Sequence, residues 1–471
     1  MKGKGLNKVR KQKNRIFIFS FSFIFLIGIN LLSQLHLPEI DLTSNRFYTL
    51  SAVTHSFLKK LNTPVTIYVI CKDTSKNFRL LEIVKQYQIH SQFVKVKYIN
   101  PSKNGWILKK YEDSFNKIED GSLIVELGNR YIIINRDNIL DILVNPATNQ
   151  EKILGVRIEE QLTYAIMSLT KESSVLIYEL EGHGEKKLKD LGILNEIKLA
   201  NYQIKSINLL SISQIPREAK VLLVMAPQVD LSEKEIEIIH NYLKSGGKAI
   251  FLIDVVNEKL TNFNRLFNRW GFELKQGILL NLEGTEDETF YIVPNYTSHK
   301  ILKTVRKNNL NALFPFSQPI FETKIRKQNL VIEKILTTKS NTVFKGGMGA
   351  KIIEDPIFQK GDIRDTFCIG MTVSEKTNDI TERKIVILGS AKFLQKDLVK
   401  VVRGNFSIFL SSLNWLVDQK ELPYIEPKSL VTFYLTLTPF QSYVYTIIVV
   451  ILIPLLIFSI GINIWIHREN A

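Results

Sequence analysis

Cysteine is scarce: Cys71 and Cys368 are the only two in 471 residues. They form no CxxC and no metal-ligand spacing, which excludes a disulfide-stapled scaffold and a zinc ribbon. Both fall in apolar, strand-like runs, so buried thiols are expected rather than a disulfide. No GxxxxGK[ST] stretch occurs, so the chain has no P-loop and is not expected to hydrolyse ATP. HExxH and GxSxG are absent too, and the HxE at His183 lacks the PCxxC partner of zinc deaminases. The formal net charge is +16, yet no zinc-finger spacing or RNP-type aromatic motif accompanies it. A solvated basic surface is therefore expected, and no nucleic-acid partner. Internal repeats and low-complexity segments are also missing.

Charge is lacking in two long stretches. Ile16 to Leu32, IFIFSFSFIFLIGINLL, has none. With Leu35 and Leu37 it is long enough for a membrane helix over 16–37. No clear small-x-small cleavage site follows, so an uncleaved signal anchor is expected. Lys2, Lys4, Lys8, Arg10, Lys11, Lys13 and Arg15 precede it with no acid among them. The positive-inside rule then keeps the tail 1–15 in the cytoplasm. The second stretch, Tyr443 to Trp465, is flanked by aromatic residues and followed by His467 and Arg468. It predicts a second membrane helix over 443–465, in which Pro454 is tolerated, and a short cytoplasmic tail 466–471. Two spans place the large body between them outside the cytoplasm, in a bilayer of bacterial-cell-membrane type, touching lipid at both ends.

At 45% hydrophobic and 23% charged residues, that body is globular. Residues 38–165 read as a small α/β domain. Ser51 caps a helix through Leu58 and Leu61, and Pro64 opens the strand Val65 to Cys71. A helix with Leu80, Leu81, Val84 and Tyr87 follows, then the strand Phe93 to Ile99 and a short helix near Trp106 to Tyr111. Two strands, Ser122 to Leu127 and Arg130 to Ile134, meet at Gly128-Asn129, a hairpin signal. This β-α-β unit with a hairpin is compatible with a thioredoxin-like arrangement that lacks the redox CxxC. Glu159 to Leu169 predicts a connecting helix.

The main domain, 170–420, opens on the buried strand Val175 to Tyr178. The polar turn Glu181-Gly182-His183-Gly184-Glu185 follows, then Leu188, Leu191, Leu194 and Ile197 at helical spacing. Strands are predicted at Gln203 to Leu209, Ala219 to Met225, Lys248 to Ile253 and Arg383 to Leu388. Helices are predicted from near Ser232, with Asp230 or Ser232 as cap, to Gly246-Gly247 and from Asn405 to Val417. Alternation of this kind implies an α/β class with an open, mostly parallel sheet and helices on both faces. The region from about 274 to 379 reads as an insertion or an extension of the sheet.

Several stretches together resemble one family: DLTSNRFYTLS, EGHGE, SGGKAIFLID, VILGSAKFL, GNFSIFLSSLNWL, IEPK and the terminal span with its internal Pro. In order and spacing the chain resembles the GldG-like auxiliary components of gliding-motility-type ABC transporters. The resemblance implies a class I glutamine-amidotransferase-like (flavodoxin-like) core in a non-enzymatic subunit. Its implied partners are a separate ATPase and a transporter permease, with no cofactor and no metal.

The loop Glu181, Gly182, His183, Gly184 and Glu185 is the one candidate site. It lies where ligands bind in open α/β sheets, and its glycines allow close backbone approach. It is expected to be either a structural loop or a ligand- or partner-contact surface, with no catalytic residue. No cysteine stands in a strand-turn-helix elbow, so amidotransferase chemistry is not expected. Two other readings stay open: an envelope scaffold without a small ligand, and a hydrolase using His183 with a carboxylate.

Overall fold

The computed structural model describes residues 17, 19–30, 41, 43, 46–72, 78–111, 118–144, 151–171, 173–283, 288–324, 328–347, 349–354, 356–357, 359–375, 382–430 and 437–469. Residues 1–428 form one compact unit and 429–471 another. The tail 1–15 and parts of the first span lie outside the described residues; within that span Phe19–Asn30 is an apolar helix.

The 429–471 unit holds a helix of 29 residues from Pro439 to His467, with an 18-residue stretch of mean hydropathy 2.9, long and apolar enough to cross a membrane. Thr438 and Gln441 form a capping box at its start. A π-helical turn over Ile447–Leu452 comes just before Pro454. Proline has no N–H to continue the α-ladder, and a local change of helical pitch is one way to absorb that.

In the first unit, Ser51 caps α1 (Ala52–Lys60) by accepting from Thr54 N. There follow β1 (Val65–Ile70), α2 (Phe78–His90), β2 (Val94–Ile99), β3 (Leu123–Leu127) and β4 (Arg130–Ile134). The sheet order is β2-β1-β3-β4, with β1 and β2 parallel and the other pairs antiparallel. The short helix predicted at Trp106 lies earlier, over Pro101–Leu108, because Asn100 caps it and Pro101 fits its first turn. α3 (Ile158–Thr170) leads onward.

An eight-stranded mixed sheet organises the rest. In chain order its strands are β5 (Val175–Leu180), β6 (Tyr202–Ile207), β7 (Val221–Met225), β8 (Lys248–Leu252), β9 (Asn295–Tyr296), β10 (Leu330–Thr337), β11 (Cys368–Glu375) and β12 (Arg383–Leu388). The spatial order is β9-β10-β11-β12-β8-β7-β5-β6. The five strands from β12 to β6 are parallel. β9, β10 and β11 join antiparallel. Three strands of the 274–379 region thus extend the main sheet; Gly277–Asn281, Thr342–Gly346 and Ile363–Asp365 make a separate small one.

Parallel strands buried on both faces need apolar side chains in succession, and Val221–Met225 is buried throughout. Leu223, Ile250 and Val386 face α7 (Arg403–Leu416) through Ile408, Phe409 and Leu413. Leu222, Phe251 and Ile385 pack on the opposite side with α5 (Glu233–Lys244) and α6 (Thr261–Asn268) through Ile236, Ile239, Phe263 and Phe267. A shorter helix, α4 (Leu194–Leu199), starts later than Leu188 and Leu191 suggest. Leu188 N donates to the Glu179 carboxylate at 2.8 Å and Lys186 N to Met225 O at 3.0 Å. One turn forms and stops at Gly192, whose φ is +74°.

Gly389, at the end of β12, shows how tightly this edge is closed. A Cβ there would stand 2.0 Å from Gln318 O. Gly389→Ala is expected to cost about 1–3 kcal/mol, the range for overpacking a filled core, read as a lower melting temperature.

Candidate functional site

The sheet reverses direction at β5: β6 lies on one side and β7 on the other. The crevice at that reversal, beyond the carboxyl ends of the strands, is where ligands bind in open α/β sheets. The loops that reach it are 181–187 after β5 and 226–232 after β7.

Here the two loops bond to each other. His183 O accepts from Gln228 N at 2.7 Å and from Val229 N at 3.0 Å. A Cβ on Gly184 would come within 3.0 Å of the Gln228 side chain. Gly182 and Gly184 take φ of +123° and +73°, which glycine adopts without strain. The crevice is filled by the chain itself.

His183 is 4% exposed. Its Nδ1 is 3.2 Å from Glu185 Oε1, and its Nε2 is 3.2 Å from Glu235 Oε1. The Glu185 side chain is buried and also accepts from His183 N at 2.7 Å. Glu235 belongs to the capping box of α5, accepting from Ser232 N at 2.9 Å and Ser232 Oγ at 2.7 Å. The hydrogen bond to Glu185 raises the His183 pKa against the opposing effect of burial, and the charges of both carboxylates add to the rise. Burial pushes the Glu235 carboxyl up, but the Ser232 bonds and His183 outweigh it, so its pKa is lowered. The His183 side chain, set between two buried carboxylates, ties the β5 loop to α5.

The other loop residues point elsewhere. Glu181 is half-buried and paired with Lys187 Nζ at 2.5 Å, and the bond to that lysine lowers its pKa. Gly182 and Gly184 are exposed. The structure therefore brings His183 and Glu185 together and leaves Glu181, Gly182 and Gly184 at the surface. Glu235 was visible in the sequence only as a first-turn acid of α5. Its partner lies 52 residues away, and nothing local announces the pairing.

Nucleophile candidates are engaged in the fold. Ser390 is buried and donates to Pro315 O at 2.6 Å. Burial pushes the Cys368 thiol up to about 12, away from the thiolate a nucleophile needs. Cys71 is buried as well, and neither cysteine forms a disulfide. Asp254, at the end of β8, accepts from Ala391 N at 2.6 Å and lies 3.5 Å from Lys186 Nζ. Among the described residues no group of three His, Cys, Asp or Glu could hold a metal ion.

A second cluster ties the segment 46–51 to the end of the first unit at Lys428. Lys428 Nζ lies 3.2 Å from Glu159 Oε2 and donates to the carbonyls of Arg46 at 3.1 Å and Thr49 at 2.5 Å. Ser51 N donates to Glu159 Oε1 at 2.7 Å. The stretches TSNRFYTLS and IEPK, both part of the family resemblance, thus meet at one buried ion pair.

No curated protein matches the chain. Among solved structures, an mmIFT52 N-terminal domain is 15% identical, with 53% of this chain and all of that one covered, at a TM-score of 0.40. A ThuA-like protein from Parabacteroides merdae is 8% identical, with 54% and 95% covered, at 0.34. The exo-beta-1,4-mannosidase Op5Man5 from an Opitutaceae bacterium is 8% identical, with 72% of this chain and 49% of that one covered, at 0.29. The chain spans about half the length of that mannosidase, and none of these likenesses carries a functional argument. Residues 44–133, which hold the β1–β4 sheet, match a domain of unknown function. Residues 175–288, from the first residue of β5 through the loop 181–185 and α5, match the family described as an ABC-type uncharacterized transport system, which supports an auxiliary ABC transporter component.

Proposed function

We propose that the chain is a non-enzymatic auxiliary subunit of an ABC transporter of gliding-motility type, held in the membrane at both ends with its α/β body outside the cytoplasm. The family match over 175–288 carries this reading. The apolar helix Pro439–His467, the apolar helix Phe19–Asn30 and the basic residues ahead of it support two anchors. The missing P-loop makes a separate ATPase necessary, and one permease would supply the path through the bilayer. The ties on His183, Ser390 and Cys368 support a body that binds or shapes rather than catalyses. On this reading the exposed part of the loop, Glu181, Gly182 and Gly184, is a contact surface for a partner.

The test is purification of the tagged chain from membranes in mild detergent, with identification of its companions. An ATPase and a multi-span permease are expected in near-stoichiometric amounts. A chain that purifies alone under conditions that keep other transporters intact would overturn the proposal.

A further inference from the structure

The carboxyl ends of β8 and β12 gather a group of charged side chains that the His183 ties do not involve. Asp254, just past β8, is 4% exposed and accepts from Ala391 N at 2.6 Å. Lys186, from the loop after β5, brings its Nζ to 3.5 Å from Asp254 Oδ2. Lys392, one residue after Ala391, holds its ammonium 3.8 Å from the centre of the Phe316 ring, a cation–π arrangement. Both lysines are half-buried. Glu185, beside Lys186 in the chain, is turned to His183. Burial lowers the Lys392 pKa; the Asp254 charge opposes that and the Lys186 charge adds to it. Two ammonium groups therefore share one carboxylate. That leaves one positive charge in excess at a partly desolvated place, which is costly without a counter-charge.

The wall beside the lysines is apolar and partly open. Phe316 and Phe290 stack with ring centres 5.0 Å apart and planes 11° apart, and Phe316 N donates to Phe290 O at 2.8 Å. Val255, next to Asp254, packs on the same small cluster, and all three side chains are only partly buried. Phe316 holds a φ of +50°. That region is costly for a bulky residue, and strain of this kind gathers where ligands bind. In an open α/β sheet the carboxyl ends of the strands are also the ligand edge.

We propose that this patch binds a small organic anion, a carboxylate or phosphate carrying an apolar group. The anionic group sits between Lys186 and Lys392 and supplies the missing negative charge. The apolar group lies on Phe316 and Val255. Asp254 is a positioning residue: it holds Lys186 and the Ala391 backbone and does not touch the anion. The inference goes beyond the transporter reading and holds whether or not a permease co-purifies, since it concerns this chain alone.

The experiment titrates the full chain in mild detergent with phenyl phosphate, benzoate, inorganic phosphate and benzyl alcohol, followed by calorimetry. One site for phenyl phosphate or benzoate is expected, and the tighter of the two identifies the anionic group. Inorganic phosphate should bind more weakly than phenyl phosphate, and neutral benzyl alcohol at least about tenfold more weakly than the tighter anion. Lys186→Met and Lys392→Met should each weaken that anion about tenfold or more. Lys392→Arg keeps a cation that stacks on Phe316 and should retain most of the binding. Lys392→Met should not lower the melting temperature of the unliganded protein, which separates a lost site from a lost fold. Failure of both aromatic anions to bind, binding unaltered when Lys186→Met and Lys392→Met are combined, inorganic phosphate binding more tightly than phenyl phosphate, or benzyl alcohol binding as tightly as either anion would each overturn the proposal.

Discussion

Lys428→Ala is expected to destabilise the body by about 3–5 kcal/mol, the range for removing one partner of a buried ion pair. Glu159 is 3% exposed, and Lys428 is its cationic neighbour at 3.2 Å. Without it the carboxylate keeps only the Ser51 N–H as donor, Thr49 O loses the lysine, and Arg46 O keeps only Thr49 N. The pair also locks Arg46 to Ser51 against α3, where Tyr87 and Thr54 already bond Thr163. Both the melting temperature and the resistance of residues 41–51 to protease should fall together. Adding Glu159→Gln to Lys428→Met removes the orphaned charge while keeping an acceptor for Ser51 N, so it should restore part of the loss. A single variant that melts with the wild type would show that the pair is hydrated and contributes as little as a surface bridge, about 0–1 kcal/mol.

That pair also marks where sequence reasoning stops. Local patterns carried far. Arg383–Leu388 was legible to the residue because an unbroken apolar run suits a strand covered on both faces. The start of α5 was legible, with Asp230 or Ser232 as its cap, because a cap needs a polar acceptor ahead of first-turn acids; the structure selects Ser232. Leu188 and Leu191 misled, since helical spacing says nothing about a backbone N–H already committed to the Glu179 carboxylate. The region 274–379 was opaque for a different reason. Its pieces, such as Asn295–Tyr296 and Ile320–Glu322, run two or three residues, too short for a period to register. Its longer strands, β10 and β11, pair antiparallel across tens of residues, and only tertiary register places them. The loop 181–185 was visible as a sharp polar turn after a buried strand. What fills it was not, because Glu235 and Gln228 come from other elements.

His183→Ala should have the second large effect, and its pH dependence identifies the cause. The substitution leaves Glu185 and Glu235 buried with no cation between them, again about 3–5 kcal/mol at a pH where the imidazole is charged. The His183 pKa is raised above its ordinary 6.5, so its contribution is whole below 6.5 and is lost as pH rises through the folded value. The Glu235 pKa is lowered from 4.5, so its contribution is whole above 4.5 and is lost as pH falls through the folded value. Wild-type stability from this group should therefore be greatest between those limits and decline on either side. Denaturant melts of the full chain at about pH 5.5 and about pH 9 should show the gap to His183→Ala narrowing at the higher pH. A gap of constant size would mean that the imidazole is neutral and merely fills space. Loss of function in His183→Ala is accordingly no sign of catalysis, because a destabilised body fails at any task. The decisive variant carries His183→Gln, Glu185→Gln and Glu235→Gln together, which removes all three charges and keeps polar side chains that can bond one another. If His183 is a strut, this triple variant regains most of the stability and with it the assembly; if His183 is a general base, stability returns and activity does not.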